Sequence, residues 1–396
     1  MDVIELKIRT PDQAVQDLCR KYWARDWDGT FFIRVAELAE EFNIPKSKVH
    51  TTVTEHCVAY SRSDSCSRCD GYRSFGSRAD FLDHLKWRRD VWVCADCREA
   101  ARIAKEHEAQ LSAQHRIALL ERELERKRRP GLSIGCLSFR DTVYLVSLLR
   151  AGGAEDLSDI APLESLSSGT FSPTSVQDRA ILDHLYSRGI ICVHPSSRPD
   201  SVVINDGEFR WFDPAKVHWV LPIAIGGPTP ASFQEDLEEL LRSQQWREEW
   251  GEEAAELHRD LALEECLQYL SVVMADHGFV ANRGERICGV LRTVLNRFSI
   301  GQTYSFIWRA AKDAASFYMR EKPSMAHAAN IVPGAIQRMA DHALAAGWDI
   351  NSFHRDFRVP LSRLTEVLFS VALRLPEGGF TTISPTEGTR TTAGVD

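Results

Sequence analysis

Apolar residues recur at helical spacing along much of the chain, whereas strict alternation is rare. At 35–42 and again at 304–315 they return every three or four positions, which is typical of an amphipathic helix with one buried face. Three short strands are predicted at 190–194, 201–205 and 208–212. The pattern therefore predicts a mainly α protein with small α+β parts.

The stretch FIRVAELAEEFNIPKSKVHTTVTEHC, residues 32–57, predicts two helices joined by a sharp turn. The apolar face of the first helix consists of Val35, Leu38, Ala39 and Phe42. Asn43 tolerates the left-handed conformation that the turn needs, Ile44 fills the corner, and Pro45 suits the first turn of the second helix. The stretch resembles the helix-turn-helix of bacterial winged-helix regulators, in which a small residue, here Ala39, lets the helices cross closely.

This resemblance implies that the second helix enters the DNA major groove with its first turns. The residues predicted to contact nucleic acid there are Lys46, Ser47, Lys48, His50, Thr51 and Thr52. Lys, Ser and Thr can contact phosphates and base edges, but the helix holds no Arg, Asn or Gln, so base readout would be weak. The same two helices could instead serve packing or protein contacts.

Two Cys-x-x-Cys pairs follow, separated by 24 residues, at Cys66, Cys69, Cys94 and Cys97. Four thiolates from two short knuckles satisfy the tetrahedral preference of Zn²⁺ completely, although the gap is slightly longer than usual. The arrangement resembles zinc-ribbon or treble-clef modules. We therefore predict one structural zinc ion bound by these four cysteines.

Other uses of these cysteines fit the sequence less well. Four protein ligands leave no open coordination position for a catalytic zinc. Thioredoxin-like redox chemistry needs a βαβ setting, which is absent here. His56 and Cys57 lie nearby and are alternative ligands, but their position predicts that they end the preceding helix.

The segment between the two pairs mixes cations with aromatic residues, a combination typical of nucleic-acid surfaces. Its cations are Arg68, Arg73, Arg78, Lys86, Arg88 and Arg89. Of these, we predict that Arg73 and Arg78 contact nucleic acid. Neighbouring Asp residues offset much of the charge, so a solvated helix at 78–89 with internal ion pairs is the alternative.

Residues 98–129 are predicted to form one long charged helix, which Pro130 and Gly131 end. Its apolar residues at heptad spacing are Ala113, Ile117, Leu120 and Leu124. They extend over about two heptads, fewer than the three or four that define a coiled coil. The helix is therefore a spacer or a weak coiled coil that would allow a homodimer, or it packs against its own chain.

The stretch from 176 to 212 runs from a helix through one strand into a hairpin. This order, together with LYSRGII at 185–191, resembles a winged-helix domain. Its helix at 176–187 carries little positive charge, and DNA binding depends on cations. We therefore predict a domain for protein contacts or dimerisation rather than a second DNA reader.

Changes in composition divide the chain into six predicted segments. GGPTPAS at 226–232 is a linker by composition, and the polar C-terminal residues predict disorder. The segments are a helix-turn-helix domain (1–60), a Cys₄ zinc module (61–97), the long helix (98–129), a winged-helix-like α/β domain (132–225), a helical domain (233–376) and a disordered tail (377–396).

Charge is distributed unevenly along the 396 residues, whose formal net charge is −8. The segment 235–265 holds twelve acidic residues against three arginines, so the rest of the chain is close to neutral. A basic face in the C-terminal helical domain is predicted from Arg309, Lys312, Arg320, Lys322 and Arg338. The acidic segment could shield this face in the resting protein, or all these side chains could pair within the domain.

The apolar runs are too short for a membrane protein. None reaches the roughly 18 residues that a spanning helix needs, and the N-terminus lacks the apolar core of a signal peptide, so we expect a cytoplasmic protein without a membrane partner. Thiols stay reduced in that compartment, which favours metal ligation over disulfides for paired cysteines.

Signs of catalysis are weak. The sequence has no Walker A motif and no His-Glu-x-x-His. Pro199, Asp200, Glu208 and Arg210 resemble the pattern of certain metal-dependent nucleases, but Arg210 replaces their Lys and cannot deprotonate. Turn formation explains the same residues, so we expect no catalytic residue and no small-molecule substrate.

The sequence thus predicts a prokaryotic, zinc-containing DNA-binding protein that acts as a non-catalytic regulator. The alternative is an assembly or adaptor subunit whose helix-turn-helix and winged-helix modules bind protein partners in a bacterial nucleic-acid or defence system. The cations at 46–52 and between the two cysteine pairs favour DNA binding, whereas the acidic overall charge favours the adaptor function.

Overall fold

The computed structural model describes residues 4–86, 91–166, 171–205, 208–243, 246–247 and 249–385. It is about 59% helical with few short strands, which confirms the predicted mainly α class with small β parts. The chain forms two compact units, Met1–Ser112 and Ala113–Asp396. In the described part of the chain, no helix combines the length and the apolar character needed to cross a bilayer.

The N-terminal unit packs helices against a three-stranded antiparallel sheet. Its elements are β1 (Ile4–Ile8), α1 (Gln13–Trp23), α2 (Val35–Glu41), α3 (Lys46–His56), β2 (Cys57–Ser65), β3 (Tyr72–Phe75) and α4 (Arg78–Lys86). The central strand is β2, which pairs with β1 on one side and with β3 on the other. The core of this unit includes Leu18, Trp23, Leu38, Val53, Phe75 and Phe81.

The turn between α2 and α3 is closed by local backbone contacts. Asn43 has a φ of 52°, which confirms the left-handed conformation predicted for it. The amide of Ile44 donates to the carbonyl of Ala39 over 3.0 Å. Val49 and Val53 of α3 are buried, so the opposite face of α3 is the exposed one.

A helix of 34 residues, α5 (Ala95–Arg128), continues past the boundary between the two units. It covers the segment for which a long helix was predicted. Most of its side chains are exposed, and Leu120 and Leu124 are its buried residues. Ion pairs within the helix, such as Arg102 with Glu99 and Glu106, contribute to its stability.

The C-terminal unit is mostly helical. Its helices are α6 (Phe139–Gly152), α7 (Ser175–Ser187), α8 (Pro230–Ser243), α9 (Trp250–Asp276), α10 (Glu285–Leu295), α11 (Ile300–Glu321), α12 (Met325–Asn330), α13 (Val332–Ala346) and α14 (Arg363–Thr365), and α14 continues as a π-helical turn at Glu366–Ala372. Its strands are β4 (Cys192–Val193), β5 (Val202–Asn205), β6 (Glu208–Phe212) and β7 (Trp219–Val220).

The strands after α7 form two separate antiparallel pairs. β5 and β6 form a hairpin, while β4 pairs with β7, which follows the hairpin in sequence. Ile160 adds an isolated bridge to Trp219 on the other side of β7. The order of helix, strand and hairpin predicted for 176–212 is therefore present, with one further strand at 219–220.

The segments predicted as separate domains on either side of 226–232 share one hydrophobic core. The Phe139 ring of α6 lies 4.8 Å from that of Trp246 and 5.6 Å from that of Trp250. Arg150 of α6 donates to Glu238 of α8 over 3.0 Å and to Glu366 over 3.1 Å. The proline- and glycine-rich linker therefore connects two parts of one packed unit.

The segment predicted as a disordered tail from residue 377 begins inside this core. Phe380 is buried, and its ring packs edge-to-face on Tyr304 with the centroids 5.0 Å apart. The amide of Gly301 donates to the Phe380 carbonyl over 3.0 Å. Residues 386–396 of the predicted tail lie outside the described residues.

Candidate metal centre and nucleic-acid interface

The first cysteine pair lies in the turn that joins β2 to β3. The amide of Cys66 donates to the carbonyl of Gly71 over 2.8 Å, and Asp70 adopts a φ of 56° to make the turn. A Cβ on Gly71 would lie 3.3 Å from the sulfur of Cys69, so glycine leaves room for that sulfur. The end of the hairpin is thus shaped as a knuckle that directs its sulfurs to one side.

The second pair lies at the start of α5. Cys94 immediately precedes the helix, Cys97 is in its first turn, and the amide of Arg98 donates to the Cys94 carbonyl over 3.0 Å. The amide of Ser67 donates to the carbonyl of Trp92 over 3.0 Å. This bond connects the two knuckles through the backbone.

The four sulfurs form a cluster with the dimensions of a tetrahedral thiolate site. The ligand atoms of Cys66, Cys69, Cys94 and Cys97 all lie within 4.8 Å of one another. Cys69 Sγ and Cys94 Sγ are 3.7 Å apart, and four sulfurs placed 2.3 Å from a central Zn²⁺ would be separated by about 3.8 Å. The cluster could therefore hold a metal ion, and four thiolates are the donor set of a structural site.

Backbone amides stabilise negative charge on these sulfurs. The amide of Cys94 donates to Cys66 Sγ over 3.3 Å, and this bond is the largest of the effects that lower the pKa of Cys66 to about 6. Sulfurs of Cys69 and Cys94 raise the pKa of Cys97 to about 12. The raised pKa disfavours ionisation of the Cys97 thiol, whereas a divalent metal would stabilise the deprotonated form of its ligands.

The alternative ligands do not join this cluster. His56 is the last residue of α3 and Cys57 follows it as the first residue of β2, as predicted from the sequence. Cys57 is buried in the core of the unit.

The predicted DNA-contacting residues of α3 lie together on its surface. Lys46, Ser47, Lys48, His50 and Thr51 are exposed, and Thr52 is half-buried. Among the residues that the structure describes, Lys46 and Lys48 form no ion pair with a carboxylate. The first turns of α3 therefore present a cationic and hydroxyl-rich surface.

Arg78 does not belong to such a surface. It is buried at the start of α4, where its guanidinium donates to the carbonyl of Ile33 over 2.6 Å and to that of Lys21 over 3.4 Å. It also stacks on the ring of Phe31 at 4.5 Å. Burial lowers the pKa of Arg78. The assignment of Arg78 as a nucleic-acid contact is thus corrected to a role inside the core.

Arg73 takes an intermediate position on β3. It is half-buried, with its guanidinium 5.6 Å from the centroid of the Phe75 ring and 5.5 Å from that of Trp92. Arg88 and Arg89 lie outside the described residues. Arg68, at the hairpin turn beside the first knuckle, is exposed.

A buried pair beside the metal centre has no counterpart in the sequence patterns. His84 Nε2 of α4 lies 2.6 Å from Asp64 Oδ2 of β2, and the His84 ring packs against Phe75 with centroids 5.4 Å apart. Both side chains are largely shielded from solvent. The pair connects α4 to the strand that leads into the first knuckle, and 20 residues of sequence separate its members.

The nuclease-like residues do not form a described site. Asp200 is exposed and lies 3.8 Å from Arg198, and the side chain of Glu208 lies outside the described residues.

Comparison with protein-family models, with curated proteins and with solved structures finds no match to this chain.

Proposed function

We propose that the N-terminal unit is a zinc-stabilised DNA-binding module and that the protein acts through it as a non-catalytic regulator. The observation that carries this proposal is the exposed first turn of α3, where Lys46 and Lys48 have no carboxylate partner among the described residues. Cations that are not paired within the protein are available to neutralise phosphates.

The geometry of α3 supports the same use. Its apolar residues Val49 and Val53 fix the helix to the core, and its first two turns include five exposed residues, Lys46, Ser47, Lys48, His50 and Thr51. Helix N-termini favour anions because their backbone amides are unpaired and the helix dipole is positive there. A phosphate near Lys46 would benefit from both effects.

Zinc would act as a structural clamp in this module. It would hold the β2–β3 turn to the first turn of α5, and so fix a hairpin that begins directly after α3. Arg68 and Tyr72 are exposed at that turn and could contact the DNA backbone beside the groove. The metal would then affect binding indirectly, by positioning these side chains.

The test is binding of the zinc-loaded full-length protein to random duplex DNA and to duplex RNA over a series of salt concentrations. Fluorescence anisotropy gives the dependence of the binding constant on salt. The double variant Lys46→Ala/Lys48→Ala should lower the log–log slope by about 2, because each phosphate contact contributes nearly one. The matched control, Lys7→Ala/Lys105→Ala, removes two exposed lysines of the same unit outside α3.

Either of two results would reject the proposal. One is the absence of binding at low salt, and the other is an equal loss in the α3 variant and in its control. A preference for RNA would retain the surface but change the ligand.

The second candidate function, an adaptor or assembly subunit, is favoured by exposed aromatic residues in the same unit. Trp27 and Phe32, in the segment between α1 and α2, are 85% and 70% exposed. Aromatic residues of this kind are enriched at protein interfaces. Affinity purification with the natural chain and with Trp27→Ser/Phe32→Ser as baits tests this function, which requires a partner that only the natural chain retains.

A further inference from the structure

A cleft between α11 and α13 combines aromatic and cationic side chains. It has a volume of about 290 Å³. Phe306 and Ile350 form its buried floor, and Arg309, Arg338, His342 and Trp348 line its exposed rim. All of these residues belong to the C-terminal unit, so the cleft is independent of α3 and of the metal centre.

The aromatic side of the rim is fixed by the end of α13. Gly347 has a φ of 65°, its amide donates to the Leu344 carbonyl over 3.3 Å, and the amide of Trp348 donates to the Ala343 carbonyl over 2.9 Å. This pair of bonds is a Schellman motif. Trp348 stays 55% exposed, and its ring lies 4.6 Å from that of His342. An exposed indole held in this way is suited to stacking on a planar ring.

Two guanidinium groups converge one helical turn away from the cleft. A Cβ on Gly334 would lie 3.3 Å from Arg338 Nη1 and 3.6 Å from Arg286 Nη2. Within the described ranges of the chain, Arg286, Arg309 and Arg338 form no ion pair with a carboxylate. Like charges brought together without an acidic partner repel each other, and a bound anion would remove that cost.

The converging guanidinium groups and the aromatic cleft lie along the same face of α13. Gly334, Arg338 and His342 are spaced four residues apart and therefore share one face of the helix. One helical turn advances about 5.4 Å, so Gly334 lies next to the aromatic cleft, and Arg338, which lines the cleft, connects the two. This order places an anion site directly beside a ring-stacking site.

We propose that this face of α13 binds a phosphorylated nucleoside, with the base in the cleft against Trp348 and the phosphates at Arg309, Arg338 and Arg286. Asp313 also lines the cleft, and its carboxylate can accept a hydrogen bond from a base amino group. The ligand is either a free nucleotide or a nucleotide of a single strand, because both carry a base next to a phosphate. The proposal does not depend on DNA binding by α3.

Isothermal titration and fluorescence anisotropy on the full-length protein test this site with five probes. AMP and ATP represent free nucleotides, a short labelled oligodeoxyadenylate represents a strand, and adenosine and tripolyphosphate each supply half of the ligand. Trp348→Ala should weaken nucleotide or strand binding about tenfold, the typical effect of losing one base–aromatic stack. Arg309→Ala/Arg338→Ala should weaken binding and reduce its salt dependence.

Two controls separate this site from others. Arg320→Ala/Lys322→Ala removes two exposed cations near the end of α11 that do not line the cleft, and it should leave affinity unchanged. Lys46→Ala/Lys48→Ala should also leave nucleotide affinity unchanged, which distinguishes this site from the proposed α3 surface. Amide exchange of α13 peptides shows whether each variant is folded.

Binding of AMP or ATP that Trp348→Ala weakens would assign a free nucleotide. Binding of the oligonucleotide alone would assign a strand if Trp348→Ala weakens it and Lys46→Ala/Lys48→Ala does not. Two results would overturn the proposal. The first is that no phosphorylated nucleoside or oligonucleotide binds at low salt. The second is that tripolyphosphate binds as tightly as ATP and Trp348→Ala has no effect, since the site would then recognise charge alone.

Discussion

The amide of Cys94 donates to the sulfur of Cys66 over 3.3 Å, so the second knuckle contacts the first directly. The two residues are 28 positions apart, and α4 and β3 lie between them in sequence. The sulfur cluster therefore lies where β2, β3 and α5 meet.

Replacing Cys66 and Cys69 by Ser should abolish metal binding. We expect one zinc ion per natural chain by elemental analysis and none in Cys66→Ser/Cys69→Ser, because two remaining thiolates do not satisfy Zn²⁺. Cys136→Ser, at an exposed cysteine in the other unit, is the control and should retain the metal. Full metal content in the double variant would place the ligands elsewhere.

Loss of Arg78 should destabilise the N-terminal unit. Arg78→Ala leaves the carbonyls of Ile33 and Lys21 without their buried charged donor, a loss of about 2 kcal/mol or more. Hydrogen exchange of α1 peptides should become faster. Arg20→Ala, at an exposed residue paired only with neighbours in its own helix, should change exchange little. Unchanged hydrogen exchange together with a loss of DNA affinity would instead indicate that Arg78 contacts nucleic acid.

Breaking the ion pair of Glu265 should be among the most damaging single changes in the C-terminal unit. Glu265 is fully buried and accepts from Arg355 Nη1 over 2.7 Å and from Thr365 Oγ1 over 2.5 Å. Arg355→Ala would leave a buried carboxylate without its cation and should cost about 3–5 kcal/mol in the free energy of unfolding. Denaturant unfolding measures this loss.

Two further variants test whether the uncompensated buried charge causes this loss of stability. Adding Glu265→Gln to Arg355→Ala should recover part of the stability, since the uncompensated charge is removed. Arg358→Ala breaks the exposed pair with Asp276 and should cost about 1 kcal/mol or less. Equal losses of unfolding free energy for Arg355→Ala and Arg358→Ala would show that burial of Glu265 does not increase the contribution of its ion pair to stability.

The stability of the C-terminal unit should fall as the pH decreases from about 6.5 to about 4, in part because of His258. Burial lowers the pKa of His258 to about 4, and its Nε2 has no hydrogen-bond partner in the described part of the chain. Below pH 6.5 the unfolded chain binds a proton at this residue that the folded chain does not, so unfolding becomes easier. Below pH 4 both states are protonated, and the loss levels off at about 3 kcal/mol.

The variant His258→Leu isolates this contribution. It should be as stable as the natural protein near neutral pH or more so, because an unpaired buried nitrogen is replaced by an apolar group. Its stability should decline less between pH 6.5 and 4, as measured by denaturant unfolding at each pH. Identical pH profiles for both proteins would contradict the prediction.

Features governed by neighbours in sequence were predictable. Asn43 has the positive φ expected from its position in the turn between two helices, and the spacing of Cys66, Cys69, Cys94 and Cys97 identified the residues that come together. In each case a turn or knuckle of a few residues determines the geometry. The mainly α class follows from the periodicity of apolar residues in the same way.

Features that depend on distant parts of the chain were not predictable from one sequence. Arginine is usually found at the protein surface. The burial of Arg78 depends on carbonyls that α1 and the following segment supply. The pairs His84–Asp64 and Arg355–Glu265 join residues 20 and 90 positions apart. The linker at 226–232 similarly gave no sign that the segments on either side share one core.

The Schellman motif at the end of α13 has a consequence for selectivity. It fixes the backbone of Trp348 by local hydrogen bonds, while more than half of the residue remains accessible. A preorganised anchor loses little conformational entropy on binding, so affinity depends mainly on how well a ligand matches its fixed position. Planar ligands that fit should therefore bind without an induced change in α13, and those that do not fit should be rejected rather than accommodated.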